Sequence, residues 1–128
     1  MNHDIVLTTG IYDLIKDSIR RKKVSQFVEN QLVNQLKRAK QVRRKELPLD
    51  VVTIDCRVMV KDLQTAAVQT YTFVEPSKAK KRNHTESIIG EIGLAFVGNK
   101  IGDHIKWDFG AGEKDFEIVQ VERLQRSK

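Results

Sequence analysis

The chain has 128 residues, of which 40% are apolar and 31% charged, and its formal net charge is +6. This length suits one domain with a smaller element rather than two full domains, and no run approaches the roughly 18 apolar residues of a membrane span. The first residues lack a basic leader followed by an apolar segment, so we expect a cytoplasmic protein. The single cysteine, Cys56, excludes an internal disulfide, and we expect a buried apolar residue rather than a nucleophile.

The positive charge is concentrated in the N-terminal part of the chain. Residues 1–50 carry 11 Lys and Arg against 6 Asp and Glu, whereas residues 51–128 carry 12 against 11. This asymmetry favours an anionic partner for the N-terminal part, whether nucleic acid, a nucleotide or an acidic protein surface. A solvated basic surface without any partner is the alternative.

Two amphipathic helices are predicted for the N-terminal part. Apolar residues recur at helical spacing over about residues 11–22, and Ser25 is expected to cap a second helix. The second helix should continue to about Lys45, because Pro48 disfavours helical geometry in the residue before it. Since only a short turn separates the helices, we expect an antiparallel helical hairpin, a short coiled coil, over residues 1–49. Four consecutive cations occupy its bend, namely Arg20, Arg21, Lys22 and Lys23.

The remaining residues, 50–128, change to a strand pattern and are predicted to form a second domain. Apolar and polar residues alternate in RVMVKDL, and AVQTYTFVE is rich in β-branched and aromatic residues. These two segments are predicted to form an antiparallel pair of strands. A polar segment that opens with Pro76 is expected to be a solvent-facing loop or short helix. It carries four further cations, namely Lys78, Lys80, Lys81 and Arg82.

A short strand, a short buried helix and a hairpin are predicted for the end of the second domain. SII predicts the strand and IGLAFVG the helix, closed by Gly98, after which Gly102 suits a turn with positive φ. HIKWDF and KDFEIVQVERL alternate on either side of GAG, which predicts a hairpin with Trp107 in the core. The predicted fold class is therefore α+β, with a small antiparallel sheet and one short helix behind the helical hairpin.

The usual catalytic and metal-binding constellations are not evident in the sequence. There is no Gly-rich phosphate loop, HExxH motif, cysteine cluster or nucleophile elbow. Asp115 and Glu117 flank Phe116 as polar residues do on the outer face of a strand. No paired ligand spacing links the three histidines, His3, His84 and His104. We therefore expect no catalytic residue, no metal and no cofactor.

The segment LAFVGNKIGDHIKWDFGAGEKDFEIVQVERL resembles the C-terminal domain of the Gre-type bacterial transcription elongation factors. Their pattern is a small helix ending in an apolar pair and Gly, then Lys-x-Gly-Asp, a strand, a Gly-rich turn and a final strand. ELPLDVVTIDCRV, FVEPSKA, HIKWDF and NQLKRAK are more similar to the Rnk branch, the regulators of nucleoside diphosphate kinase. The likeness covers about residues 30–124. The positions that match the Gre pattern are Ala95, Phe96, Val97, Gly98, Lys100, Ile101, Gly102 and Asp103.

The resemblance implies an FKBP-like sheet domain behind the hairpin, with RNA polymerase as the partner at the rim of its secondary channel. The docking loop of the family precedes the small helix, and a Gly-Glu pair replaces its usual Ser-Pro here. The matching positions are Gly90, Glu91, Ile92 and Gly93. An FKBP-like fold also suggests prolyl isomerase activity as a possible function. That activity needs an apolar pocket lined by aromatic residues, and we do not expect the eight aromatic residues of this chain to form one.

The bend of the hairpin departs from the family pattern. Gre factors carry two neighbouring acids there that hold a catalytic Mg²⁺ for transcript cleavage, whereas the cations of this bend repel a hard metal ion that needs carboxylate oxygens. The nearest acids, Asp17 and Glu29, are expected a turn or more down the helices. At about 18 to 30 Å the helices are also less suited to reach the polymerase active centre.

Three functions follow as hypotheses. The main one is a non-enzymatic transcription regulator that binds RNA polymerase near its secondary channel, as a monomer, without inducing transcript cleavage. A Gre-type cleavage and elongation factor is one alternative. The other is a basic nucleic-acid-binding module in which three groups of cations contact phosphates, without sequence-specific recognition because interleaved aromatic residues are missing. These groups are the bend, the far end of the second helix with Arg43, Arg44 and Lys45, and the cations of residues 78–82.

Overall fold

The computed structural model describes residues 5–124. The chain divides into two compact units, Met1–Pro48 and Leu49–Lys128. Within residues 5–124, no helix combines the length and apolar character that crossing a membrane requires.

The first unit consists of two helices flanked by two short strands. Both helices begin at a hydroxyl cap, since the Ile11 N–H donates to Thr8 Oγ1 at 3.3 Å and the Val28 N–H donates to Ser25 Oγ at 3.2 Å. The predicted cap at Ser25 is thus confirmed. In chain order the elements are β1 (Val6–Thr8), α1 (Thr9–Arg20), α2 (Gln26–Lys37) and β2 (Lys40–Val42), followed by one 3-10 turn at Arg44–Glu46.

A narrow face of each helix is buried. Ile11, Ile15 and Ser18 lie on one side of α1 at steps of four and three, and Leu32 is the buried residue of α2. The amphipathic pattern predicted for α1 is therefore confirmed, whereas in α2 Leu32 is buried and Val28 and Leu36 are only half-buried.

The two short strands connect the beginning and the end of this unit. They pair in parallel, with Val6 opposite Lys40 and Thr8 opposite Val42. Because β1 leads directly into α1 and β2 follows α2, the chain leaves this small sheet at the C-terminal end of β1 and returns to it at the N-terminal end of β2.

The predicted end of the second helix is wrong. The helix ends at Lys37 rather than near Lys45, well before Pro48 can act on it. The segment that was expected to continue the helix pairs with β1 instead, and the Lys40 N–H donates to the Ile5 carbonyl at 2.8 Å. Arg43, Arg44 and Lys45 consequently lie at and within the 3-10 turn, not on the helix.

The second unit is a five-stranded sheet with one short helix. The strand order is β5-β4-β3-β7-β6, and every neighbouring pair is antiparallel except β4 and β5. The other predicted strands, the buried helix and the C-terminal hairpin are present, which confirms the α+β class. The short strand predicted at SII lies earlier, at Thr85–Ser87, and it pairs with its neighbour in parallel, which departs from the predicted antiparallel sheet. The elements are β3 (Cys56–Asp62), β4 (Val68–Val74), β5 (Thr85–Ser87), α3 (Glu91–Phe96), β6 (His104–Asp108) and β7 (Glu113–Arg123), with 3-10 turns at Pro76–Lys78 and Lys81–Asn83.

Alternating residues of the strands form the core of the second unit. Cys56 has no exposed surface and lies opposite Phe73 in the register of β3 and β4. Burial raises the pKa of the Cys56 thiol, so it remains a protonated core residue, as predicted. Trp107 is 3% exposed, which confirms its predicted place in the core.

Candidate functional site

A cavity of about 410 Å³ lies between the sheet of the second unit and α3. Four aromatic side chains line it, namely Tyr71, Phe96, Phe109 and Phe116. Two aliphatic side chains, Val60 and Ile92, join them, and polar groups reach it from Asp62, Gln69, Glu91 and Lys114. A concave apolar surface with a few polar groups and this volume is typical of binding sites.

The aromatic rings form a connected cluster. The ring of Phe116 meets that of Phe96 edge to face at 5.3 Å between centroids, and meets that of Phe109 in the same way at 6.1 Å. Tyr71 lies roughly parallel to Phe96 at 6.4 Å. The cluster combines residues of β4, α3 and β7 with the residue that follows β6, so the fold rather than any local motif assembles it.

The polar groups of the cavity differ in how far they are already engaged. The Tyr71 hydroxyl donates to Gln69 Oε1 at 3.2 Å, and burial, followed by the negative charge of Glu86, raises the pKa of this hydroxyl. One oxygen of Asp62 accepts from the N–H groups of Gln64 and Thr65, which fixes the turn after β3. Among residues 5–124 no ion pair involves Glu91 or Lys114, so both charges remain for a ligand.

The predicted docking loop meets this cavity at the start of α3. Glu91 and Ile92 line the cavity, whereas Gly90 is the residue before the helix and Gly93 is buried. A methyl group added at Gly93 would overlap the carbonyl oxygen of Ile88. Two of the four predicted residues, Glu91 and Ile92, therefore present side chains to the cavity. Gly93 lets α3 lie close to the backbone carbonyl of Ile88.

The cations at the bend of the first unit lie next to two of the three acids of the helices. Arg20 Nη2 lies 2.5 Å from Asp17 Oδ1, and Arg21 Nε lies 3.1 Å from Asp17 Oδ2. Lys22 Nζ lies 3.7 Å from Glu29 Oε1. Three of the four predicted cations are thus paired, and Lys23 has no ion pair within the part of the chain that the structure describes.

The pairing at the bend also determines the charge of Asp17. The hydrogen bond from Arg20 is the largest cause that lowers the pKa of this carboxyl, and the charges of Arg21 and Arg20 act in the same direction. Asp17 therefore stays ionised, while its oxygens are occupied by guanidinium groups. This arrangement gives a metal ion no free pair of carboxylates.

The polar segment between β4 and β5 forms the second cluster of cations. It folds as the two 3-10 turns Pro76–Lys78 and Lys81–Asn83, in agreement with the loop or short helix that was predicted. The side chains of its four cations, Lys78, Lys80, Lys81 and Arg82, are exposed. No ion pair within residues 5–124 involves them.

The histidines do not come together in a metal site within residues 5–124. His84 lies in a turn with φ +56°, and His104 Nε2 is 4.0 Å from Glu117 Oε1, while His3 lies outside the described residues. Within the described chain, no group of three or more His, Cys, Asp or Glu residues is placed to hold a metal ion.

The Lys-x-Gly-Asp motif has a structural role in the turn between α3 and β6. The Lys100 N–H donates to Asp103 Oδ2 at 2.9 Å, and Lys100 Nζ lies 3.3 Å from Asp103 Oδ1. Gly102 adopts φ +91°, a conformation that side chains disfavour. The motif therefore closes a turn rather than contributing to the cavity.

The aromatic cavity contradicts the expectation that the eight aromatic residues form no aromatic-lined pocket. Tyr71, Phe109 and Phe116 occupy strand positions or a strand end, where an aromatic residue is expected to pack in the core. Phe116 is only half-buried, whereas Trp107 on the neighbouring strand is fully enclosed. In the sequence, the signal for the cavity is the presence of Phe109 and Phe116 in one predicted hairpin, but alternation does not indicate that both rings stay half-exposed.

Comparison with known proteins identifies relatives over most of the chain. Residues 47–123 match the family model described as transcription elongation factor, GreA/GreB, C-term. The regulator of nucleoside diphosphate kinase of Escherichia coli K12 is 33% identical over 89 residues, which are 69% of this chain and 65% of that protein. Transcription elongation factor GreA of Clostridium beijerinckii is 34% identical over 93 residues, 73% of this chain and 58% of that protein.

A solved structure is similar over nearly the whole chain. It is a prokaryotic transcription elongation factor GreA/GreB from Nitrosomonas europaea, with a TM-score of 0.66 and 26% identity, and the match covers 94% of this chain and 99% of that one. The curated relatives are longer, since the matched region spans less than two thirds of their length.

Proposed function

Because this chain belongs to the GreA/GreB family of transcription elongation factors, we propose that it is a non-enzymatic regulator that binds bacterial RNA polymerase near its secondary channel without stimulating transcript cleavage. The family match and the relatives support the broader part of this proposal, a role related to transcription elongation. The contacts of the two units support the finer parts.

We propose that the polymerase docks on the aromatic cavity and the loop beside it. The observation that carries the proposal is that Glu91 and Ile92, from the loop expected to dock, line a cavity with four aromatic rings. Aromatic pockets of this kind bind the anchoring side chains of protein partners, while the rim charges of Glu91 and Lys114 can orient the partner.

The absence of transcript cleavage is inferred from the bend. Cleavage by the metal-dependent route needs two carboxylates that are free to bind Mg²⁺. Within residues 5–124, the acids paired with the bend cations are Asp17 and Glu29, and both are engaged by Arg or Lys. Each helix has 12 residues, which corresponds to about 18 Å, so the bend extends only a short distance from the small sheet.

The finer architecture follows from the same family membership. We propose that the second unit is FKBP-like and that the two helices pack as a short coiled coil. A polymerase-binding protein of this kind acts in the cytoplasm, and we propose that it does so as a monomer without a cofactor.

Binding to core RNA polymerase tests the docking proposal directly. We expect the wild-type protein to co-elute with the core enzyme at low salt, and Ile92→Asp to weaken binding by about tenfold or more. Met59→Asp is the matched control, since Met59 is 36% exposed on β3 and does not line the cavity. Its affinity should stay within about twofold of wild type. Failure of the wild-type protein to bind, or equal losses in the two variants, would contradict docking through the cavity.

Cleavage is tested separately with backtracked elongation complexes. The proposal requires that the RNA 3′ ends remain intact when the protein is added. Shortened transcripts would instead establish the alternative, a cleavage factor whose acids come from elsewhere in the complex.

A further inference from the structure

The structure distinguishes two clusters of cations that look alike in the sequence. The bend cluster comprises Arg20, Arg21, Lys22 and Lys23, and the basic loop comprises Lys78, Lys80, Lys81 and Arg82. Three of the bend cations are within 3.7 Å of a carboxylate oxygen. None of the four basic-loop cations has an ion pair within residues 5–124. The larger uncompensated positive charge is therefore in the basic loop.

The backbone of the basic loop is fixed by its own hydrogen bonds. The Lys80 N–H donates to Thr85 Oγ1 at 2.9 Å, and the Lys78 N–H donates to the Glu75 carbonyl at 2.9 Å. The loop ends at His84, whose N–H donates to the Lys81 carbonyl at 3.0 Å. The cations thus project from an ordered segment next to β5, the edge strand of the sheet. A partner need not order the loop in order to bind it.

The composition of the basic loop favours phosphates over a protein surface. Its exposed side chains are polar or charged apart from Pro76, and it contains no aromatic residue. Stable protein interfaces need an apolar or aromatic core, which this segment lacks. Phosphate backbones need only Lys and Arg within reach, together with a surface that does not have to bury apolar area.

We propose that the basic loop, Lys78 to Arg82, binds the phosphate backbone of a nucleic-acid duplex, and that the bend cluster contributes little to this binding. Because the loop carries no aromatic side chain on which a base can stack, binding is independent of sequence and does not prefer single strands. Two acids flank the loop. Glu75 accepts a hydrogen bond from the Ser77 hydroxyl, and Glu86 lies on β5.

The experiment compares two variants of the full chain that each lose four positive charges. One replaces the basic-loop cations with Ala (K78A, K80A, K81A, R82A), and the other replaces the bend cations (R20A, R21A, K22A, K23A). Fluorescence anisotropy with a labelled duplex DNA measures affinity as the salt concentration is raised. If net charge alone governed binding, the two variants would lose affinity equally.

We expect the basic-loop variant to lose affinity at low salt by about tenfold or more, and its salt slope to fall by about three to four, near 0.9 for each phosphate contact removed. The bend variant should stay within about threefold of wild type. Restoring charge with Lys→Arg at positions 78, 80 and 81 should retain affinity, because only the charge is required. Circular dichroism should show that both variants are folded, since all eight residues are exposed.

Three results would overturn the inference. One is an equal or greater loss in the bend variant. Another is wild-type protein that binds duplex DNA without salt dependence or not at all. The third is a basic-loop variant that keeps its DNA affinity but loses binding to poly-glutamate, which would identify an acidic protein surface as the partner. Because the assay contains no polymerase, its outcome is independent of the docking proposal.

Discussion

The ring of Phe116 stands nearly perpendicular to that of Phe96, at 87° and 5.3 Å between centroids, and this contact joins the buried and the open side of the aromatic cavity. Phe96 is 1% exposed, whereas Phe116 and Phe109 are only half-buried. Stability and binding should therefore depend on different members of one aromatic cluster.

Substitution of the rings should separate the two roles. Phe96→Ala removes a buried ring and should lower the free energy of unfolding by about 3 to 5 kcal/mol. Phe109→Ala leaves the core intact and should cost on the order of 1 kcal/mol, but it should weaken polymerase binding. Urea unfolding followed by the fluorescence of Trp107, the single tryptophan, reports on the second unit. Equal stability losses in the two variants would contradict the distinction between core and cavity.

Gly93 is predicted to be required for the position of α3. A Cβ at this residue would overlap the carbonyl oxygens of Ile88 and Ser87, and backbone cannot move away as a flexible side chain can. Gly93→Ala should lower the free energy of unfolding by roughly 2 kcal/mol or more. Gly10→Ala is the control, because a Cβ at Gly10 meets nothing within 4 Å, and Ala is the better helix former by up to about 1 kcal/mol. A Gly93→Ala protein as stable as wild type would show that α3 can shift.

The carboxyl of Asp17 should titrate below its ordinary value of about 3.9. Because the folded-state pKa is lowered, its stabilising effect is present above the unfolded pKa and is lost as the pH falls through the folded pKa. NMR titration of the carboxyl carbon measures this directly. Arg20→Ala should raise the pKa of Asp17 more than Arg21→Ala does, since the Arg20 hydrogen bond is the largest cause. The opposite order would assign the main contact to Arg21.

The strands of the second unit were predictable because the alternation of apolar and polar residues along a strand is visible in a short stretch of sequence. Cys56 and Trp107 have the expected buried positions since both lie on inward-facing strand positions. The end of α2 was not predictable from its own residues. The segment after Lys37 is compatible with a helix, and its strand pairing depends on Val6–Thr8, some thirty residues earlier in the chain.

The cavity and the charge of the bend depend on contacts that periodicity does not encode. A ring at an inward strand position can pack fully, as Trp107 does, or line an opening, as Phe116 does, and strand alternation does not distinguish the two. Likewise, four adjacent cations predict a basic bend, but Asp17 pairs with Arg20 at helical spacing within α1, and the turn brings Lys22 to Glu29 of α2. These pairs compensate much of the charge, and the second one depends on the fold. The sequence therefore predicts where the bend cations lie, whereas the net charge of the bend can be read only from the folded structure.

The parallel pair of β1 and β2 bears on how the length of the two helices can vary in this family. Since the strands are parallel and neighbouring strands lie about 4.8 Å apart, the chain leaves the small sheet at the C-terminal end of β1 and returns to it at the N-terminal end of the adjacent β2. One turn added to each helix would move the bend outward by about 5.4 Å without displacing either end. The two helices can thus be shortened, extended or joined by another bend sequence while the strands that anchor them, β1 and β2, stay unchanged.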